Sequence, residues 1–209
     1  MNSAVFVSTH PLVQHKLAQL RDVRTEPPAF RALVRDLSQL MFFEATRELS
    51  TVDFIVRTPL ADCVASRLAG RIGLFPILRA GLGMAEAILD LVPQATVWHL
   101  GLYRDHKTLQ PVTYYNKLPP QPDVDVAFVV DPMLASGGSA VAAVEILKGW
   151  GATNLHFLGL IAAPEGVHTL QAAHPDVSIH LAALDSHLNE DCYIVPGLGD
   201  AGDRQFGTG

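Results

Sequence analysis

The chain has 209 residues, which fits one α/β domain with elaborations, or at most one domain and a small appendage. It is 49% hydrophobic, only 17% charged, with a mean hydropathy of +0.23. No apolar run approaches the ~18–20 residues of a membrane span, so the excess apolar surface is expected to fill a large core and the subunit interface of a homo-oligomer. A net charge of −6 and a pI near 5.8 argue against nucleic acid or a membrane surface as partner, and mean that any anionic ligand must be met by locally concentrated cations.

The amino terminus, M-N-S-A-V-F-V-S-T-H, has no basic stretch followed by an apolar one; no signal peptide is read and a cytoplasmic protein is expected. His10-Pro11 precedes a helical pattern carrying Leu12, Leu17 and Leu20. Pro27-Pro28 opens a second helix with Phe30, Leu33, Val34, Leu37, Leu40 and Met41 on one face. These helices occupy about 10–50, and Lys16, Arg21, Arg24, Arg31 and Arg35 on them are expected to form a solvated face. Phe54-Ile55-Val56 reads as a short strand, and Cys63 to Leu68 as a connector or helix. With Cys192, Cys63 makes neither a disulfide framework nor a zinc pattern.

Leu74 to Leu78 is a buried-strand candidate that ends at Arg79-Ala80-Gly81 and runs into a helix with Met84, Ala87, Ile88 and Leu91 apolar. An Arg at a strand's end suits a phosphate or pyrophosphate through its planar fork, although alone it would read as a surface Arg. Thr96 to Tyr103 is a further strand, ended by Arg104. Between 105 and 122, four prolines alternate with Val112-Thr113-Tyr114-Tyr115, which predicts a projecting β-arm rather than a core element.

Ala127-Phe128-Val129-Val130 forms a strand that stops at Asp131-Pro132. Met133, Leu134 and Ala135 lead to Ser136, Gly137, Gly138 and Ser139, and a helix carrying Val141, Val144 and Leu147 follows. Glycines let the backbone approach a ligand, and the free N–H groups and dipole of the first helical turn favour a phosphate there. A carboxylate beside a phosphate site repels the phosphate, so Asp131 is assigned to accepting hydrogen bonds from sugar hydroxyls. An ordinary βα turn with a capping serine would carry the same residues; a second glycine turn, at Arg79, favours the binding reading. Leu155–Ala162 and Val177–Ala182 are further strands around a helix at about 165–173, and strands alternating with helices predict a parallel sheet.

The tail, about 184–209, holds Gly197, Gly199 and Gly202, which match G-x-G-x-x-G. Too few residues remain for a dinucleotide-binding unit, so this stretch is read as backbone that wraps a small planar ligand. There is no G-x-x-x-x-G-K-[ST], H-E-x-x-H or G-x-S-x-G, which leaves no sign of a P-loop NTPase, a zinc protease or a serine hydrolase.

V-V-D-P-M-L-A-S-G-G-S from Val129 resembles the phosphoribosyl diphosphate (PRPP) loop of type I phosphoribosyltransferases in its uracil branch. The resemblance spans nearly the whole chain. It includes H-P-L-V-Q-H-K-L at His10, E-A-T-R at Glu44, P-I-L-R-A-G-L-G-M at Pro76, Y-R-D-H-K-T-L-Q-P-V at Tyr103, A-A-P-E-G at Ala162, H-P-D-V at His174, and Y-I-V-P-G-L-G-D-A-G-D at Tyr193. It implies a single domain: a parallel sheet flanked by helices, with a projecting arm and a carboxyl-terminal hood over the site. It also implies conversion of uracil and PRPP to UMP and pyrophosphate, in pyrimidine salvage, with Mg²⁺ carried by PRPP and water near Asp131 and Asp200. Carried over by position, Pro132 to Ser139 hold the 5′-phosphate through the backbone of Ala135–Ser139 and the hydroxyls of Ser136 and Ser139. Asp131 holds the ribose, and Arg79 and Arg104 clamp the pyrophosphate. Ile194, Gly199 and Ala201 read uracil through main chain, and Asp200 faces PRPP and its metal. A GTP effector is raised by the resemblance alone. The chain departs from the pattern in three places: Pro132 replaces the second loop acid of the wider superfamily, Ser136 stands for the usual Thr, and Gln110 for the usual Glu. Two alternatives are a nucleotide-sensing or RNA-binding relative and a binding module without turnover. The first needs a basic face that the net charge disfavours, and intact Asp131, Arg79, Arg104 and Asp200 argue against the second.

Overall fold

The structure, a computed structural model, describes residues 4–104 and 111–208, with the side chains of Tyr103, Arg104 and Pro111 outside that description. Gln110 and the rest of 105–110 also lie outside it. In chain order come β1 (Val5–Val7), α1 (Pro11–Arg21), α2 (Pro27–Ala45), β2 (Thr51–Arg57), β3 (Asp62–Leu68), β4 (Ile72–Leu78), α3 (Leu82–Leu91), β5 (Thr96–Val97), β6 (Leu100–Arg104) and β7 (Pro111–Asn116). They are followed by β8 (Val126–Val130), β9 (Met133–Leu134), α4 (Gly138–Trp150), β10 (Leu155–Ala162), α5 (Pro164–Ala173), β11 (Ser178–Leu184), β12 (His187–Leu188), β13 (Ile194–Val195) and α6 (Ala201–Phe206). Pro11, Pro27 and Pro164 each open a helix, where a missing N–H costs nothing and the fixed φ suits the first turn.

The main sheet runs β1-β11-β10-β8-β4-β6-β7, with β5 and β9 as short additions. All its pairs are parallel except β6 with β7. Both faces are covered, which is why β8 and β10 are nearly continuous apolar runs rather than alternating ones. On one face α1, α2 and α3 pack through Leu20, Phe30, Leu37, Met41 and Ile88 onto Leu74, Phe128 and Leu158. On the other, α4 and α5 bury Val144, Leu147 and Leu170 against Phe75, Val129 and Phe157. This is the parallel-dominated α/β sheet expected from the alternation of strands and helices.

Three local expectations need correction. Cys63 to Leu68 is neither connector nor helix: it is β3, which pairs antiparallel with β2 over the full length of both strands in a separate hairpin. It is exposed along nearly its whole length, so burial imposes no alternation on D-C-V-A-S-R-L for the sequence to display. The expected single strand at 96–103 is broken into β5 and β6, which pair with Gly73–Leu74 and Ile77–Leu78. Pro76, which has no N–H to give, lies opposite the break. Third, the tail closes on the short helix α6. The segment expected as an arm contributes β7, which pairs antiparallel with β6 at the sheet's edge, while its tip falls in 105–110, outside the described residues.

Candidate active site

The candidate residues gather at the carboxyl edge of the parallel strands, because each follows directly on a buried strand. Arg79 follows β4, Asp131 follows β8, and Arg104 ends β6, which lies parallel to β4. The backbone thus places Arg104 on the same edge; its side chain lies outside the described residues.

The turn between β8 and α4 is shaped for a ligand rather than for packing. Gly137 takes φ +87° just before α4, and a Cβ there would lie 2.8 Å from the Gly166 carbonyl oxygen. Gly166 in turn has the Ala135 carbonyl 2.3 Å from its own Cβ position, so α5 lies hard against the loop. Gly138 differs: nothing lies within 4 Å of its Cβ position. That open space adjoins the first turn of α4, whose leading N–H groups have no partner within the helix, and together they make a cradle for an anion. Pro132 and Leu134 are buried, while Met133, Ala135, Ser136 and Ser139 keep partly accessible surfaces around it.

Asp131 stands at the mouth of this cradle. Its Oδ1 accepts a weak hydrogen bond from the Met133 N–H (3.3 Å). Burial pushes its carboxyl up to about 7, the Met133 bond opposes the shift, and the negative charge of Asp200 adds to it. The last effect is that of a like charge near enough to be felt. Among the described residues no group of three or more metal-binding side chains gathers. The arrangement therefore suits a cation that arrives with its own oxygen ligands and needs only one or two carboxylates. Arg79 is well exposed, and its Nη2 reaches Asp203 Oδ1 only at 3.5 Å, so its guanidinium remains available to an anion.

The tail lies over this edge as a lid of main chain. Ile194, Leu198 and Ala201 turn their side chains into the core, so what they and Gly199 leave toward the site is backbone. Val195-Pro196 is cis, Gly197 has φ +62° and Gly199 φ +77°. Asp200 caps α6, its Oδ1 accepting from the Asp203 N–H at 2.9 Å. A Cβ on Gly202 would come within 3.9 Å of Arg79 Nη2, so the tail and the Arg79 turn adjoin.

Residues that the sequence did not single out hold this lid in place. Arg21, expected on a solvated face, is instead mostly enclosed and forks onto the buried Asp185. Arg204 lies over the Phe30 ring and donates to the carbonyls of Leu20, Asp22 and Leu198. Gln205, fully buried, donates to the Ala80 carbonyl beside Arg79. Asp185 carries a signal that was legible: like Arg79 and Asp131, it is the first charge after a buried strand.

A recess of about 900 Å³ opens elsewhere, between β1, the end of α2 and the starts of β10 and β11. It lies at the amino ends of those strands and has no glycine turn, so its size does not make it the site; crevices outside the carboxyl ends are where open α/β sheets bind ligands.

Comparison with known proteins gives the family. A family model described as uracil phosphoribosyltransferase matches residues 7–208. The chain is 67% identical over 205 residues to the uracil phosphoribosyltransferase of Roseiflexus castenholzii, covering 98% of this chain and 99% of that one. It is 56% identical over 207 residues to that of Halalkalibacterium halodurans, covering 99% of each. Among solved structures, the AQ2163 protein from Aquifex aeolicus superposes with a TM-score of 0.90 at 33% identity, over 98% of both chains. A hypoxanthine phosphoribosyltransferase from Staphylococcus aureus aligns with a TM-score of 0.50 at 7% identity, over 88% of this chain and 84% of its own. That last likeness is one of fold alone.

Proposed function

The chain belongs to the uracil phosphoribosyltransferase family, and from that premise we infer that it converts uracil and PRPP to UMP and pyrophosphate, a step of pyrimidine salvage. The observation that carries this reading is a single edge of the sheet that offers an open anion cradle at Gly138, the carboxylate of Asp131 and a tail that buries its apolar side chains and leaves backbone outward.

In the reaction the bond from the anomeric carbon to the pyrophosphate oxygen breaks, a bond to uracil N1 forms, and the N1 proton leaves. Positive charge builds on the sugar ring and negative charge on the leaving group, so positioning and charge stabilisation dominate. The backbone of Ala135–Ser139, with the Ser136 and Ser139 hydroxyls, anchors the 5′-phosphate. Pro132, Met133 and Leu134 shape the approach to that loop. Asp131 holds the ribose hydroxyls, and Arg79 with Arg104 draws the pyrophosphate away. Uracil is read by the main chain of Ile194, Gly199 and Ala201; a pocket of fixed donors and acceptors leaves groups unpaired against cytosine. Asp131 and Asp200 are the residues that would face a divalent ion carried by PRPP, whose chemistry is to neutralise pyrophosphate oxygens. Bringing a cation between these carboxylates also relieves their mutual repulsion.

Oligomerisation is supported by the β2–β3 hairpin, which exposes Ile55, Leu60 and Val64 to solvent in the single chain. Sedimentation at micromolar concentration tests it, and the same assay with and without GTP, alongside initial rates, tests an effector. No described helix is long and apolar enough to cross a membrane, and the cytoplasm remains the expected compartment. The RNA-binding alternative finds no support in relatives of 55–67% identity.

The test is UMP formation from uracil, PRPP and Mg²⁺, with cytosine and hypoxanthine as controls. Turnover of uracil alone is expected; equal turnover of hypoxanthine, or none of uracil, would overturn the reading.

A further inference from the structure

Gly197 is held at both of its main-chain polar groups by one buried ion pair. Arg21, the last residue of α1, donates from Nη1 to Asp185 Oδ2 (2.8 Å) and from Nη2 to Asp185 Oδ1 (2.5 Å). Arg21 Nη1 also donates to the Gly197 carbonyl (2.6 Å), and the Gly197 N–H donates to Asp185 Oδ2 (3.0 Å). The result is a closed ring of hydrogen bonds joining three distant parts of the chain. Asp185 is fixed to the sheet as well, because its own N–H donates to the Ala162 carbonyl (2.8 Å) at the end of β10. Its side chain is only 5% accessible, against 22% for Arg21.

A buried ion pair is a poor source of stability, since apolar residues of the same volume commonly do as well. Its distinctive capacity is geometric: a planar fork and a carboxylate fix direction as well as distance. Here the thing fixed is the start of the tail's turn, at Gly197, while the next carbonyl, that of Leu198, is held separately by Arg204. Gly197 cannot be re-shaped by substitution, for a Cβ would lie 2.0 Å from the Ile194 carbonyl oxygen. Two residues further on is Gly199, and Ala201 follows.

We propose that Arg21 and Asp185 are positioning residues for the pyrimidine site. Without touching substrate, they set where the main chain of 197–201 stands, and so govern affinity for uracil and its discrimination from cytosine. This rests on the reading that the tail recognises the base. The PRPP cradle at 135–139 lies on different elements and is anchored by α5, and Asp200, the one PRPP-facing residue within 197–201, has its carboxylate held separately by the Asp203 N–H of α6, so the pair governs the base far more than PRPP.

The test is a separate determination of KM and kcat for uracil and for PRPP in wild type, Arg21→Lys and Asp185→Asn, with melting curves for each. Arg21→Lys keeps the charge and loses the fork. It is expected to raise KM for uracil about tenfold, to lower the uracil-to-cytosine ratio, and to leave KM for PRPP within about twofold; displacements near 1 Å at a reacting centre cost up to about a hundredfold. Asp185→Asn, which keeps size and one acceptor, is expected to act in the same direction and provides the readout if the lysine variant fails to fold. A purely structural role would lower the melting temperature and the active fraction with both KM values unchanged, and that result overturns the proposal. So does an equal rise in both KM values. If wild type itself makes no UMP, it is the underlying reading that fails, not the clamp alone.

Discussion

Replacing Asp131 with Asn should make the free protein more stable and at least tenfold less active, and both halves follow from one carboxylate. Burial and Asp200 raise its pKa from 3.8 to about 7. Between those values this carboxyl binds more protons in the folded state than in the unfolded one, so its own contribution to stability falls as pH rises from about 4 to about 7 and then levels. About three units at 1.36 kcal/mol each put the cost of the charged carboxylate near 4 kcal/mol at pH 8, an upper figure for a side chain that keeps some access to water. Asn carries no charge and retains an oxygen to accept from the Met133 N–H. The stability difference between variant and wild type should therefore be near zero at pH 4 and grow to several kcal/mol by pH 8. For a chain of this length that is a rise in melting temperature on the order of 2–4 °C per kcal/mol. Denaturation of both proteins without substrate, at intervals from pH 4 to 8.5, measures it. Loss of charged hydrogen bonds to the ribose should at the same time cut kcat/KM for PRPP by about ten- to a hundredfold. A variant less stable than wild type at pH 8, or a pH-independent difference, would refute the electrostatic argument. Near-normal turnover would show that the ribose role is misassigned.

The two loop glycines should separate binding from folding. Gly138→Ala meets no atom within 4 Å and should melt near wild type while weakening PRPP use at least tenfold, because its methyl fills the cradle. Gly137→Ala, forced to φ +87° against the Gly166 carbonyl, should cost about 1–3 kcal/mol in urea denaturation. Arg79→Ala should raise KM for PRPP with little effect on the melting temperature, given its exposed guanidinium; unchanged PRPP kinetics would count against the clamp. At acid pH the sign reverses for His180, whose pKa is pushed down to about 4 by burial and by the charge of His156. Below 6.5 the unfolded chain binds the extra proton, so in the Asp131→Asn background stability should fall by about 3 kcal/mol as pH drops from 6.5 to 4.

Much of the candidate site was legible because its residues obey one rule of α/β sheets: a buried strand ends, and the next polar side chain stands at the edge where such sheets bind ligands. Arg79 and Asp131 were found that way, and the loop's glycines by the physics of helix amino ends. Asp185 satisfies the same rule after β11 but lay in a stretch without a glycine turn, so nothing drew the eye to it. Arg21 could not be found by periodicity, because helical spacing reports which face is apolar and not which arginine meets a buried carboxylate 164 residues away. The β2–β3 hairpin was half missed for a related reason. A hairpin exposed on both faces lacks the alternation that burial imposes, and β3 with its Asp62 and Arg67 reads as surface. The broken strand at 96–103 depended on Pro76 in its neighbour, a pairing that only the fold supplies.

The most direct measurement is a crystal structure with UMP bound. The account predicts the 5′-phosphate within hydrogen-bonding distance of the backbone N–H groups of 135–139, the ribose hydroxyls on Asp131, and the uracil edge against the main chain of Ile194 to Ala201. A nucleotide seated elsewhere, such as in the recess beside β1, would contradict it.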